Sequence, residues 1–311
     1  MIILDENKIK SFDIKNTALT IGVFDGVHIG HRMILEELKS LSSESGLKNI
    51  VITLSPDPEE ILHPQTPFTI LTSIEDKISE LQELDIDYCY ILETNEKLLS
   101  YSAVEFFEKF IYKKFFPSLI VIGEDFRFGK NKEGDINLLE ELAGKYNFRL
   151  YVLPFLKMKG AKVGSSRIRK ALIDGDIESA SYMLGRFPKL SGRVVPGEGR
   201  GRRLGFPTAN ILTNCEFRLK KGVYIGEVII KEKQLPALLY VGTSPTFGGK
   251  FLRYEIYIPD FRGYLYGKSI SFLIQQMLRG EKVFINEDAI CSQLEVDREC
   301  LIKHFTHQNK G

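Results

Sequence analysis

The sequence predicts an α/β chain in two parts: a doubly wound parallel sheet, then an antiparallel β-barrel followed by a C-terminal helix. Three observations predict it. Short apolar runs alternate with amphipathic helical stretches through the first part, the pattern of a parallel sheet covered on both faces. From about Leu190 the chain changes to short β-rich segments punctuated by glycine, with no long helix until Glu287. At 311 residues it is too long for one typical domain and suits two.

The elements follow in order. Leu19–Phe24 reads as a strand that breaks at Asp25-Gly26, and Arg32–Leu41 as a helix. Asn49–Leu54 is a buried strand. Thr72-Ser73 followed by Glu75-Asp76 marks a helix start, and the helix runs to about Leu84. Asp87–Leu92 is a strand. Ser102–Phe116 carries an apolar stripe and stops before Pro117. Leu119–Gly123 is a strand, Asn137–Tyr146 a helix, and Phe148–Leu153 a strand. The run from Ser165 is helical again, divided by Gly175 and ended by Gly185. The segments SGRVV, GVYIGEVII, PALLYVG, FLRYEIYI and SISFLI then supply barrel strands, and Glu287–Phe305 the last helix. The boundaries predicted are 1–184 for the first domain, 185–190 for a linker and 191–311 for the second.

Bulk composition narrows the function. Hydrophobic residues make up 43%, charged residues 27%, and the net charge is +1, an ordinary globular balance that gives no case for a nucleic-acid partner. No segment approaches the roughly 18 consecutive apolar residues of a membrane span. Four cysteines, Cys89, Cys215, Cys291 and Cys300, lie far apart and form no C-x-x-C, so they read as free thiols in a reducing compartment. The N-terminal MIILDENKIK is too acidic and too short in apolar run for a signal peptide. The expectation is a cytoplasmic protein without membrane or nucleic-acid partners, monomeric or weakly self-associating.

The most informative segment is GVFDGVHIGH, Gly22 to His31. A strand, a tight loop and a helix start aim backbone N–H groups and the positive helix end at one point. His28 and His31 would reach that point, and Gly22, Gly26 and Gly30 let a polyphosphate approach closely. Zinc needs three or four ligands, and His63, His304 and His307 do not sit in a ligand-like cluster with this pair. No G-x-x-x-x-G-K-[ST] occurs, which excludes a P-loop NTPase. Three further segments could converge on the same sheet edge: TLSPDP (Thr53–Pro58), GEDFRFG (Gly123–Gly129) and GSSRIR (Gly164–Arg169). In the last, Ser165 and Ser166 either face a ligand or only cap a helix.

In the second part, GRGRRLGFPTANI (Gly199–Ile211) offers glycines and arginines that can wrap phosphates. Neither a strand nor a helix is expected to bracket it as a Rossmann turn requires. Thr208 and Asn210 supply hard oxygen ligands, suited to magnesium on a nucleotide. The other reading of this segment is a solvated basic turn before a strand.

These motifs, in this order, resemble the bacterial bifunctional riboflavin kinase/FAD synthetase family over nearly the whole chain. GVFDGVHIGH resembles its nucleotidyltransferase motif, related to the HIGH signature. VIGEDFRFG and GSSRIRKALIDGDIESASYMLGR resemble its later motifs. GRxLGFPTANI, GVY, GTSPTFGG and DFRGYLYGK resemble the kinase half. The resemblance implies a HIGH-type nucleotidyltransferase domain followed by a riboflavin kinase barrel. The second would phosphorylate riboflavin with ATP to FMN, and the first would transfer AMP from ATP to FMN, giving FAD and pyrophosphate, with Mg2+ accompanying ATP.

It also implies residue roles. Gly22, Phe24, Asp25, Gly26, His28, His31, Ser165, Ser166 and Arg169 would bind ATP in the adenylyltransferase, with His28 and His31 stabilising charge at the α-phosphoryl group. Asp57, Asp125, Phe126 and Phe128 would line the FMN, phosphate or metal subsite. In the kinase, Gly199, Arg203, Gly205, Pro207, Thr208 and Asn210 would bind ATP, the last two also the metal. Glu255 aligns with the family's proposed base for the riboflavin 5′-hydroxyl, and Arg279 would face flavin or nucleotide. Without the resemblance, Glu255 reads as a cross-strand surface glutamate.

The chain departs from the family pattern at several positions. Gly164 and Ser166 stand in a hydroxyl-rich SST, Leu54 and Asp57 replace an aromatic and a histidine, Tyr240 replaces an asparagine, and Tyr257 a histidine. Gly164 and Asp57 leave open a monofunctional kinase with a weakened first domain. A non-catalytic flavin or nucleotide sensor is a further alternative, and the retained His28, His31, Thr208, Asn210 and Glu255 argue against it.

Overall fold

The structure is a computed structural model that describes residues 1–311 apart from 12–13, 66–68, 214–216, 244–251 and 309–311. Two compact units form: Met1–Phe68 with Ile74–Gly164, and Thr69–Ser73 with Ser165–Gly311.

The first unit is built on six strands: β1 (Ile2–Leu4), β2 (Thr17–Gly22), β3 (Lys48–Ser55), β4 (Tyr88–Glu93), β5 (Pro117–Gly123) and β6 (Arg149–Leu153). All pairings are parallel, in the order β1-β4-β3-β2-β5-β6. The sequence expectation named five of the six. It missed β1, whose three residues are too short to show a period. Side chains alternate across β2, β3 and β5: Leu19, Ile21, Ile50, Ile52, Ile120 and Ile122 enter one apolar cluster, and Ala18, Val51, Leu119 and Val121 the other. Both faces are therefore core, which is why these strands read as unbroken apolar runs. Each of the leucine, isoleucine and valine side chains contributes about 1.5–3 kcal/mol by leaving water.

Helices α1 (Ile29–Glu44), α2 (Pro58–Leu62), α3 (Ile74–Glu83), α4 (Glu96–Leu99), α5 (Ala103–Phe106), α6 (Lys113–Phe115) and α7 (Ile136–Tyr146) connect the strands. Between α5 and α6, Phe107–Tyr112 is a π-helical turn, so the helix expected from Ser102 to Phe116 is one path with a widened middle. Its start is set by the Ser102–Glu105 capping box and its end by Phe116, left-handed at φ 44° before Pro117. A hairpin of β7 (Lys157–Met158) and β8 (Ala161–Lys162) follows β6.

β2 has β3 on one side and β5 on the other, so the chain reverses its winding there. The carboxyl ends of β2 and β5 flank the crevice where open parallel sheets bind ligands. Both glycine-rich loops of the first part leave from those ends.

The second unit begins with α8 (Ser165–Asp174) and α9 (Ile177–Leu184), separated at Gly175 and closed by Gly185 at φ 73°. A closed antiparallel barrel follows: β9 (Lys189–Val195), β10 (Thr208–Thr213), β11 (Gly222–Ile230), β12 (Lys233–Thr243), β13 (Leu252–Tyr257) and β14 (Ser269–Gly280), in the order β10-β13-β12-β11-β14-β9. Leu301 of α11 (Glu287–Gln308) packs on Val223, Ile225 and Leu238. The barrel has one more strand than the five expected segments. The expectation that neither strand nor helix brackets Gly199–Ile211 is also corrected: β9 precedes it, the short helix α10 (Arg200–Arg203) lies within it, and β10 ends it. Only Ile211 is buried on β10, so that strand carries almost no apolar signal.

Candidate active sites

The first site is built at the end of β2. Phe24 (φ 50°), Gly26 (φ 84°) and Val27 (φ 38°) all take left-handed backbone within four residues. Such a conformation costs an L-residue roughly 1–2 kcal/mol, so neighbouring contacts must hold the loop. Gly22 makes room for it: a Cβ there would lie 3.3 Å from the Phe24 ring. Helix α1 starts earlier than the sequence predicts because His28 is its N-cap, with Nδ1 accepting from the His31 N–H at 3.2 Å. His28 and His31 stack at 3.6 Å and 15°, and Phe24 meets the His31 ring edge-on at 5.2 Å.

Asp25, Gly26, Val27 and His28 are buried. His31 Nδ1 is buried and has no hydrogen-bond partner among the described residues. Burial first, then the charges of His28, Lys77 and Lys162, hold the His31 imidazole well below its ordinary pKa, so it is neutral at pH 7. A neutral imidazole beside a helix N-terminus waits for negative charge.

The loop after β5 lies next to this pair. Gly123 faces Ile34 of α1, Asp125 is ion-paired with Lys162, and the Lys162 charge reaches His31. Phe126 and Phe128 stack at 5.4 Å. Phe128 is part of the core, whereas Phe126 is half-buried against it. Asp57 caps α2, with Oδ1 accepting from the Glu59 N–H at 3.0 Å. Ser165 and Ser166 open α8 in the second unit, and Arg169 Nε donates to the Thr69 carbonyl at 2.5 Å.

The second site lies on neighbouring barrel strands. Asn210 stands opposite Glu255, which in turn stands opposite Tyr240. Thr208 Oγ1 donates to Glu255 Oε2 at 2.7 Å. Arg253 Nε lies 2.8 Å from Glu255 Oε1 and donates to Asn210 Oδ1 at 3.1 Å. A Cβ on Gly197 would collide with the Asn210 amide, so the loop backbone lies directly on that side chain. Thr208, Asn210 and Glu255 therefore form one half-buried cluster rather than separate surface groups. Gly199 opens α10, Arg203 ends it, and Gly205 and Pro207 are exposed in the turn that leads to β10.

Arg279 does not stand open to solvent. Its Nε and Nη2 grip the Asp297 carboxylate of α11 at 2.7–3.2 Å, and Asp297 is 1% exposed. Tyr240 lies among Glu255, Arg279 and Glu281, and burial above all raises its hydroxyl pKa. Most of GTSPTFGG lies outside the described residues.

Sequence reasoning missed Lys77, Arg253 and Asp297. Arg253 had a signal: it is two residues from Glu255 on a strand and shares its face. A single lysine or aspartate on an amphipathic helix has none.

The FAD synthetase family model matches residues 10–167 and the riboflavin kinase model residues 184–305. A bifunctional riboflavin kinase/FMN adenylyltransferase from Buchnera aphidicola (strain Sg) is 33% identical over 93% of this chain and 94% of its own length. The Escherichia coli K12 protein of that name is 33% identical over 90% of both, and that of Bacillus subtilis 30% identical over 94% of both. A solved structure titled as a macrolide-efflux protein from Streptococcus pneumoniae matches with a TM-score of 0.84 and 28% identity over 96% of this chain and 98% of its own.

Proposed function

The chain belongs to the family of bifunctional riboflavin kinase/FMN adenylyltransferases, and we propose that the two residue clusters described above carry its two reactions. The barrel cluster phosphorylates riboflavin to FMN with ATP. The His28/His31 loop serves transfer of AMP from a second ATP to FMN, with release of pyrophosphate. The functional division proposed is 1–184 for adenylylation and 191–311 for phosphorylation, joined by 185–190.

In the kinase reading, Glu255 receives the riboflavin 5′-hydroxyl and takes its proton late as the γ-phosphoryl group transfers. Arg253 and Thr208 fix the two oxygens of that carboxylate, so its orientation is set before substrate arrives. Thr208 and Asn210, two apart on one strand, share a face. With Glu255 they form an all-oxygen donor set, the chemistry that suits Mg2+ arriving on a nucleotide. Bound there, the ion would neutralise phosphate charge, and Thr208 and Asn210 would hold it.

In the adenylyltransferase reading, the FMN phosphate attacks the α-phosphorus in line, and pyrophosphate leaves. No covalent enzyme intermediate is required. His28, His31 and the N–H groups at the start of α1 stabilise the charge that develops. Asp125 is linked to this loop through Lys162, whose charge reaches His31; Asp125 and Phe126 are assigned to the FMN phosphate and ring on their motif. Ser165, Ser166 and Arg169 are assigned to the triphosphate on their motif.

The observation that carries this reading is the stacked pair of buried His28 and half-buried His31 at the switch point of the sheet. Among the described residues no helix is long and apolar enough to cross a membrane, and Cys89, Cys291 and Cys300 are free. Both fit a cytoplasmic enzyme. Incubation with riboflavin, ATP and Mg2+, followed by flavin chromatography, should yield FMN and then FAD. FMN alone would favour a kinase with an inert first domain, and unchanged riboflavin a sensor. Glu255→Gln should lower kinase turnover by about 10²-fold while supplied FMN is still adenylylated. Unchanged turnover removes the base assignment.

A further inference from the structure

Lys77 of α3 is a charged side chain that the reactions above do not use, yet it is 5% exposed. Its ammonium donates to the Val23 carbonyl at 2.6 Å and to Thr53 Oγ1 at 3.3 Å, and Thr53 Oγ1 donates to the same carbonyl at 3.1 Å. Two donors thus hold one carbonyl at the point where β2 runs out. That carbonyl belongs to the peptide whose other end is the Phe24 nitrogen. Fixing its plane fixes the backbone on both sides, and Phe24 is the first residue of the loop forced to positive φ. The Phe24 ring folds back over Gly22 and stands edge-on to His31 at 5.2 Å. His31 is also stacked on His28 at 3.6 Å.

From this chain of contacts we infer that Lys77 is a positioning residue for adenylyl transfer: through the Val23 carbonyl and the Phe24 ring it sets the orientation of the His31 imidazole. Its ammonium donates to the Val23 carbonyl and Thr53, and its role is assigned through them. A surface lysine on an amphipathic helix would have solvated its charge. This one is turned inward onto the Val23 carbonyl and the Thr53 hydroxyl; burial lowers its pKa, and Asp25 and Asp57 partly offset that. Thr53, at the end of the neighbouring strand, serves the same carbonyl. The inference rests on the reading that His31 acts in adenylyl transfer.

The test is a double-mutant cycle on the full chain, with FMN and ATP supplied and FAD measured, so that kinase activity plays no part. Lys77→Met keeps length and apolar stem but removes the donor. It should lower kcat for FAD formation by about 10²-fold, the cost of a catalytic group misplaced by about an ångström. In the His31→Ala background the same substitution should cost about 3-fold or less, because the group it positions is already gone. Equal factors in both backgrounds would mean that Lys77 acts only through the stability of the unit, and the inference would be overturned. An unchanged kcat for Lys77→Met in the otherwise intact chain would overturn it too. If His31→Ala by itself leaves FAD formation unchanged, the catalytic reading of His31 fails and takes the inference with it, a result distinct from the other two. Should Lys77→Met lose its near-ultraviolet circular dichroism, Thr53→Val removes the second donor at nearly constant volume and runs the same cycle. About a 10-fold loss that disappears in the His31→Ala background is then expected.

Discussion

His31 concentrates opposing forces at one side chain. The packing that aligns it also desolvates it, and His28, Lys77 and Lys162 add repulsion against a proton. The sign of the consequence is fixed. Its folded pKa lies below the unfolded value of about 6.5, so the unfolded chain binds the extra proton as pH falls. Stability of the first unit is complete above about pH 6.5 and is lost as pH drops toward the folded pKa, by up to about 1.4 kcal/mol per pH unit. Thermal unfolding between pH 7.5 and 5.5 should show this slope, and His31→Ala should flatten it; an equal slope in both proteins would show that another group titrates. A triphosphate placed against the ring would reverse the balance, so ATP binding at pH 7.5 should take up a proton. Calorimetry in two buffers of different ionisation enthalpy measures that uptake, and identical apparent heats would contradict it. Much of this residue-level picture was legible in GVFDGVHIGH: glycines, paired histidines and a helix start. The N-cap role of His28 was not, because the usual N-caps are Ser, Thr, Asp and Asn. Lys77 was invisible, since its value lies in a carbonyl 54 positions earlier in the chain.

At the scale of elements, α11 is tied to the barrel by more than apolar contact. Arg279 near the end of β14 and Asp297 of α11 form a bidentate pair with little exposure. Removing one partner leaves a charge unpaired in a poorly solvated place, which typically costs about 3–5 kcal/mol. Asp297→Ala should therefore destabilise the barrel unit by about 3 kcal/mol. Chemical denaturation of the full chain, followed by a probe in the second unit, would measure it, and a change below about 1 kcal/mol would assign the pair to surface electrostatics. The strands that a period revealed were those with buried faces, such as β3 and β5. β10 escaped because Thr208 and Asn210 occupy the face of a strand that apolar residues would otherwise fill. Polar residues on that face break the alternation by which strands are recognised. The π turn at Phe107–Tyr112 escaped for another reason: a single widened turn leaves the apolar stripe in place.

For the whole molecule, one chain carries two compact units with distinct sheet types, and each is proposed to carry one of the two reactions. The change of pattern near Leu190 made that division visible, because parallel sheets with covering helices and antiparallel barrels impose different periods on sequence. The pairing of Arg279 with Asp297 and the meeting of Thr208 with Glu255 needed the fold, since partners distant in sequence and on different elements have no local signature. The central claim is that two separate sites act in succession on the same flavin. A time course of flavins separated from His28→Ala, supplied with riboflavin, ATP and Mg2+, tests it most directly. FMN should accumulate at close to the unsubstituted rate, while FAD formation falls by about 10²-fold or more. Parallel loss of both products, or undiminished FAD, would contradict it.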